Sequence, residues 1–278
     1  MSAPTEAPAG HKIQAAGITL HYHDVGQGPP IIMLHGAGPG ATAWSNFKQN
    51  VGELSRNFRC LLVDLPQFGG SEKVVITTGR SSYTANVLAD FLKQLGIERS
   101  HFIGNSMGGQ AAIKLAIDRP ELVDKLVVIG STPVGRSIFC PMPLEGIKHI
   151  INYYRGGASI EKMRALVEVI LFDHSFIDDE TIQERYEASI DPEVVEVMTG
   201  RPPEREELTD QLHKVAAPTL IVWGLDDRLG AMDIGLFMLS RFQNARMHIF
   251  NRCGHWAQVE HAGEFNRLVS EFLANPVR

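Results

Sequence analysis

Cysteine is scarce in this sequence: Cys60, Cys140 and Cys253 are the only three in 278 residues, odd in number and scattered. A disulfide scaffold is excluded, and no pair has metal-ligand spacing. The thiols are expected as small buried hydrophobes in a reducing compartment, which predicts a cytoplasmic location. Long apolar runs are missing too. No stretch reaches the length of a transmembrane helix. The opening MSAPTEAPAG lacks both a basic n-region and an apolar h-region, so it predicts no secretory signal and reads as a disordered lead-in over residues 1–10. An excess of positive charge is also absent. With 26 Lys and Arg against 32 Asp and Glu, the net charge is -6, and neither nucleic acid nor a membrane is expected as a partner. There is no internal repeat.

What is present is a repeated grammar. Short apolar runs end in glycine or aspartate: PPIIMLHG, FRCLLVDLP, HFIG, KLVVIG and TLIVWGLDD, with ARMHIF after them. Continuous rather than alternating apolar runs predict strands covered on both faces. Helical patterns between them, Ser82 to Leu95 and Gln110 to Asp118 among them, predict a mostly parallel sheet with helices on both sides. GITLHYHDVG alternates and is expected as an edge-like strand. Between about Pro133 and Leu212 no strand-like run occurs. Ser159 to Phe172 instead puts Met163, Leu166, Val167, Ile170 and Leu171 on one helical face, and Asp178 to Ile190 predicts a second helix with acidic residues in its first turn. This is expected to be a helical lid over 136–209, inserted between two strands of a core formed by 11–135 and 210–278. GRPPEREEL within it is expected as a loop.

Gly104-Asn105-Ser106-Met107-Gly108 matches the G-x-S-x-G nucleophile elbow, with a strand before it and a helix after it. A serine there takes a strained backbone, and flanking glycines let the chain approach closely. A helix starting at the serine leaves free N–H groups facing the reacting centre, so the Met107 N–H is a candidate oxyanion donor. A tight-turn N-cap serine would share the pattern; the order of partners favours the nucleophile. His255, on a loop after the last strand, suits a general base. His261, where the last helix begins, reads as a capping or surface group. The acid that orients His255 is expected at Asp227, with Asp226 left open because spacing does not separate them. Asp64 precedes the serine and reads as a structural turn residue. The glycine-rich HGAGPG, His35 to Gly40, predicts a second oxyanion donor, the Ala37 N–H. It lacks the lysine of a phosphate loop, so no nucleotide cofactor is expected. His21 and His23 share a strand face, but with no third ligand evident no metal site is predicted.

Taken together, HGAGPGATAWSNF, GNSMGG, WGLDDR and CGHWAQVEHAGEFNRLV resemble the α/β-hydrolase fold. More narrowly they resemble the meta-cleavage product hydrolases, nearest to the biphenyl-pathway members that act on 2-hydroxy-6-oxo-6-phenylhexa-2,4-dienoate. The resemblance implies Ser106, Asp227 and His255 as the triad and Ala37 and Met107 as oxyanion donors. It implies Gly36, Asn46, Asn105, Arg185 and Trp256 as contacts to an anionic small-molecule substrate, no cofactor, and a homo-oligomer. The residues add one point of their own. The helical neighbours of Arg185 are Thr181, Ile182, Ala188 and Ser189, so no acid on its own helix neutralises it. The family pattern has glycine where Ala37 stands, and in RLGAMD, after Asp227, relatives carry a bulkier residue and a proline, so Gly230 and Ala231 are expected to open the apolar far end of the pocket. A carboxylesterase on the same triad, or a preference for alkyl 6-substituents, is the alternative.

Overall fold

The structure, a computed structural model, describes residues 6–275. Residues 1–5 of the expected lead-in lie outside the described residues, and Gly10 already opens the first strand. The chain runs β1 (Gly10–Ala15), β2 (Ile18–Val25), β3 (Pro30–Leu34), α1 (Ala43–Leu54), β4 (Arg59–Val63), α2 (Arg80–Gln94), β5 (Ser100–Asn105), α3 (Met107–Asp118) and β6 (Val123–Ile129). The helices α4 (Glu145–Tyr153), α5 (Ile160–Ile170), α6 (Asp179–Ser189) and α7 (Pro192–Thr199) follow with no strand among them. The chain then returns through β7 (Thr219–Gly224), α8 (Met232–Arg241), β8 (Ala245–Phe250), α9 (Ala257–Glu260) and α10 (Ala262–Ala274). The strands form one sheet in the order β1-β2-β4-β3-β5-β6-β7-β8. β1 and β2 pair antiparallel, β2 meets β4 antiparallel, and the other pairings are parallel.

The apolar runs are explained by burial on both sides. Ile32 and Leu34 of β3 pack with α2, α3 and α8 on one face, whereas Ile31 and Met33 pack with α1 and α10 on the other. All four are completely buried, which a strand alternating polar and apolar residues does not allow. One strand expectation is corrected. β2 is not the edge, because β1 pairs along its outer side from Gly10↔His23 to Ala15↔Ile18. The mixed GHKIQA of β1 escaped notice because an outermost strand, mostly exposed, needs no apolar run.

In the inserted segment the predicted face of Met163, Leu166, Val167, Ile170 and Leu171 is buried in one cluster with Ile182, Leu229 and Trp256. Ser159 caps α5 by accepting from Lys162 N at 3.3 Å, and Asp178 caps α6. Helices α4 and α7 were not anticipated: they are short, and α4 starts without a side-chain cap. GRPPEREEL, residues 200–208, is loop throughout, and the 3₁₀ helix Thr209–Lys214 follows it before β7. The three thiols are free, with Cys60 and Cys253 buried and Cys140 partly exposed. Burial pushes the Cys60 thiol up to about 12, so it is inert as a nucleophile. No helix among the described residues is long and apolar enough to cross a membrane.

Lys125 on β6 is a charge buried to good effect. Its Nζ donates to the carbonyls of Phe272, Leu273 and Asn275, closing the C-terminus of α10 at 3.0, 2.7 and 2.6 Å. Lys125→Met removes three charge-assisted bonds and leaves those carbonyls unpaired. The expected loss is about 2 kcal/mol of stability, read as a lower thermal midpoint with unchanged steady-state kinetics.

Candidate active site

Ser106 joins β5 to α3 with φ 51° and ψ -115°. A non-glycine residue holds this backbone only where its surroundings enforce it. They do: Ser106 N donates to Ile129 O of β6 at 2.8 Å. A Cβ on Gly104 would lie 2.5 Å from Gly109 Cα, and one on Gly108 would lie 2.4 Å from Leu34 O. Both glycines of the motif therefore exist for backbone contact. Because α3 begins at Met107, the first N–H groups of that helix have no intrahelical acceptor.

His255 follows β8 and is held by its own N–H on Ile170 O at 2.7 Å. Its Nδ1 lies 2.7 Å from Asp227 Oδ2, and the Asp227 carboxylate is 1% exposed. The other oxygen, Oδ1, accepts from Leu229 N and Gly230 N at 2.7 and 2.8 Å. His255 Nε2 is buried and has no hydrogen-bond partner among the described residues. This geometry selects Asp227 as the partner of His255, since Asp226 is exposed and meets Cys253 N at 3.4 Å. His261 stacks on Phe250 with ring centroids 4.8 Å apart, away from the cavity. Gly130, at the end of β6, backs the pair at φ 55°, where a Cβ would lie 2.8 Å from His255 Nδ1 and 3.1 Å from Asp227 Oδ2. Gly130→Ala is expected to lower kcat about 10²-fold by displacing the imidazole, with far-UV dichroism unchanged.

A cavity of about 290 Å³ opens above the carboxyl ends of the strands. Ser106, His255, Gly36, Ala37, Met107, Asn46, Asn105, Arg185 and Trp256 all line it. Arg185 comes from α6, 2% exposed, and its Nη2 donates to Pro39 O at 2.9 Å. Its Nε has no partner, and among the described residues it makes no ion pair. The guanidinium sits 5.2 Å from the Trp256 ring centroid. Burial drags its pKa down to about 10, which still leaves it charged near neutral pH. Asn46 Oδ1 and Asn105 Oδ1 are likewise buried and unpartnered. Asn105 also ties β5 to β6 through Nδ2 on Ile129 O at 3.1 Å. The cavity is thus lined by polar atoms that no group among the described residues satisfies, a standing desolvation cost unless a ligand meets them.

The chain matches the family model of the α/β hydrolase fold over residues 29–262. It is 43% identical over 263 residues to a 2-hydroxy-6-oxononadienedioate/2-hydroxy-6-oxononatrienedioate hydrolase of Cupriavidus pinatubonensis, covering 92% of this chain and 91% of the relative. It is 40% identical over 263 residues to a 2-hydroxy-6-oxo-6-phenylhexa-2,4-dienoate hydrolase of Burkholderia cepacia, with the same coverage. Among solved structures it superposes on a meta-cleavage product hydrolase from Pseudomonas fluorescens with a TM-score of 0.86 at 32% identity, covering 95% of this chain and 97% of that one. The chain is a meta-cleavage product hydrolase of the α/β-hydrolase fold.

The hydrolase holds its glycine-rich loop with residues to which sequence reasoning gave no such role. His35 is fully buried, with Nδ1 2.7 Å from Gly36 O and Nε2 accepting from Leu65 N at 2.9 Å. Those partners require the neutral Nδ1–H tautomer, and burial lowers its pKa to match. Asp64 is a structural hub. Burial favours its neutral form, but bonds from His21 Nδ1, Ala43 N and Gly70 N outweigh this and hold the carboxyl below the usual range. His21 is therefore engaged with Asp64, and no group of three potential metal ligands occurs among the described residues. Gly40 lets the loop touch α6, since a Cβ there would lie 1.9 Å from Arg185 O. Glu260 accepts from Gly254, Phe172 and Asp173 N–H groups at 2.7 to 2.8 Å, fastening the His255 loop to the inserted helices.

Two expectations about the far end of the cavity are corrected. Gly230 and Ala231 do not line it. Gly230 is consumed by Asp227 and by Trp223 Nε1, which donates to its carbonyl at 3.0 Å, and Ala231 is core. Nor is the remaining lining purely apolar: it includes Arg80, Gln110 and Thr132 as well as Ile147, Ile150 and Leu229. A lone arginine after glycine and a glutamine inside a helix carry no sequence signal; only the packing of α2 against α3 brings them to the cavity.

Proposed function

We propose that this hydrolase cleaves the carbon–carbon bond next to the 6-oxo group of 2-hydroxy-6-oxo-dienoates, including the 6-phenyl compound. Products are a 2-hydroxypenta-2,4-dienoate and a carboxylic acid such as benzoate. The observation that carries this is Arg185, a buried guanidinium with no carboxylate partner among the described residues, in the wall of the cavity that holds Ser106. A neutral ester leaves it unpaired; a dienoate carboxylate supplies the bidentate acceptor it lacks.

In this reading the carboxylate end is held by Arg185, Asn46 and Asn105, against Trp256 and Gly36. Binding there favours the keto tautomer, with His255 moving protons between the 2-hydroxyl and C5. Ser106 Oγ then attacks C6, its proton passing to His255 while Asp227 stabilises the imidazolium. Ala37 and Met107 N–H groups receive the oxyanion. Collapse re-forms the C6 carbonyl and breaks the C5–C6 bond. The electron pair leaves into the conjugated 2-oxo system and a proton returns from His255, giving the hydroxydienoate. Water activated by His255 frees the acid from the acyl-serine. The helical segment 136–209 serves as the lid that carries Arg185 over the site.

Incubation with the yellow 6-phenyl dienoate and with p-nitrophenyl esters tests the reading. Loss of visible absorbance, with benzoate and hydroxydienoate in equal amounts and kcat/KM well above that for the esters, is expected. Faster turnover of the neutral esters overturns it. We further propose a cytoplasmic, homo-oligomeric enzyme. The three free thiols support the first, and Ile138 and Phe139, 78% and 79% exposed, support contact between copies.

A further inference from the structure

The helix that carries Arg185 is tied to α4 by two tyrosines that no step of the reaction uses. We propose that Tyr153 is a positioning residue: its buried bond to Ser189 holds α6 so that Arg185 meets the substrate carboxylate, and the selection of anionic over neutral substrates depends on it. This rests on the carbon–carbon hydrolase reading above.

Helix α4 ends at Tyr153 and α6 ends at Ser189. Tyr153 Oη lies 2.6 Å from Ser189 Oγ, and both residues are buried. Ser189 Oγ gives its one proton to Tyr186 O at 2.6 Å, so the Tyr153 hydroxyl is the donor in the pair. Tyr154 Oη donates to Ser189 O at 3.1 Å, a last-turn carbonyl that the helix itself leaves unpaired. Adjacent tyrosines at the end of α4 thus take the hydroxyl and the carbonyl of one serine on α6. Burial raises the pKa of both phenols, which keeps them protonated donors near neutral pH. Tyr153 otherwise belongs to the apolar cluster of Met163, Leu166 and Ile182. A phenylalanine meets the packing needs of that place; the hydroxyl serves the bond between helices.

Ser189 stands one helical turn after Arg185, so the two side chains share a face of α6, and both are buried. Arg185 and Tyr153 are electrostatic neighbours, each favouring the charged form of the other. Helix α6 is therefore held at two places. At Arg185 it rests on the glycine-rich loop, through Nη2 on Pro39 O at 2.9 Å and through Gly40, where a Cβ would lie 1.9 Å from Arg185 O. At its last turn it is held by Tyr153 and Tyr154. A short helix fastened at one place can still turn about its axis; fastened at two, it fixes where the guanidinium points. Helix α4 also lends Ile147 and Ile150 to the cavity wall, so the helix that latches α6 borders the same cavity. A bidentate contact to a carboxylate is lost with a displacement of about 1 Å, whereas a neutral ester makes no use of the guanidinium.

The test is Tyr153→Phe, which removes one oxygen and keeps the ring. KM for the 6-phenyl dienoate is expected to rise about 10-fold with kcat nearly unchanged, and kcat/KM for neutral p-nitrophenyl esters to change much less. Added to Ser106→Ala, the same substitution weakens dienoate binding about 10-fold, read from the visible spectrum of the bound compound. Ser189→Ala breaks the same bond from its other side, so it gives a similar rise in KM, and the two together add little to either alone; it carries the test if Tyr153→Phe does not fold. An unchanged KM in both folded variants, or a lower melting midpoint with dienoate and esters slowed alike, makes Tyr153 a packing residue and overturns the proposal while the carbon–carbon reading stands. Wild-type enzyme that does not consume the dienoate overturns both.

Discussion

Replacing Ser106 by alanine is expected to lower turnover of the dienoate by about 10⁴-fold or more while leaving its dissociation constant within about 3-fold of wild type. The argument is geometric. The serine carbon stays at φ 51°, because the bond from its N–H to Ile129 O and the glycine contacts at Gly104 and Gly108 do not involve the hydroxyl. The polar roof of Arg185, Asn46 and Asn105 is untouched, so recognition survives. What disappears is the hydroxyl that, in the proposed mechanism, attacks C6 and carries the acyl group. The variant should hold bound dienoate long enough for its altered visible spectrum to be recorded, and single-turnover experiments should show no benzoate burst. Turnover within 10-fold of wild type would exclude an acyl-serine and leave His255 and water to act alone.

Arg185→Met is expected to move activity and stability in opposite directions. Arg185 is a buried charge with one hydrogen bond to a carbonyl and one aromatic ring beside it, and its Nε has no hydrogen-bond partner among the described residues. Desolvating such a group opposes folding. Methionine fills much of the same volume against Trp256 without that penalty, so the ligand-free variant should gain about 1–3 kcal/mol and several degrees in its melting midpoint. The same change removes the proposed bidentate partner of the substrate carboxylate, and kcat/KM for dienoates should fall about 10²–10³-fold, with much less effect on neutral p-nitrophenyl esters. The dienoate should raise the melting midpoint of wild type but not of the variant. A variant that melts lower than wild type and loses both substrate classes equally would make Arg185 a packing residue.

Much of the candidate site was legible because its signals are local. The elbow is five consecutive residues whose glycines answer to contacts at 2.4 and 2.5 Å. The strand ends at Asp227 and the loop at His255 each follow an apolar run. The face of α5 could be read from its spacing alone, and all five of its named residues are buried together. Elements with weak local signals were missed: β1 is mostly exposed, α4 starts uncapped, and the far wall of the cavity is made of unremarkable single residues. The expectation that Gly230 and Ala231 open the pocket failed because a small side chain marks space only where the chain faces a cavity, and here Gly230 faces Asp227 and Trp223.

The order of apolar runs and helices, and the glycine spacing around Ser106, determined by themselves a mostly parallel sheet covered by helices on both sides and a serine on a strained turn; the α/β-hydrolase fold came from the resemblance of its motifs. Periodicity and backbone sterics act over a few residues, so sequence suffices for them. Tertiary structure alone decided between Asp226 and Asp227, buried Arg185 without an acid, and set Arg80, Gln110 and Thr132 around one cavity. Each depends on residues tens of positions apart meeting in a medium that excludes water. Whether a charge there is paired, orphaned or exposed is a property of the packed chain, not of any short stretch of it.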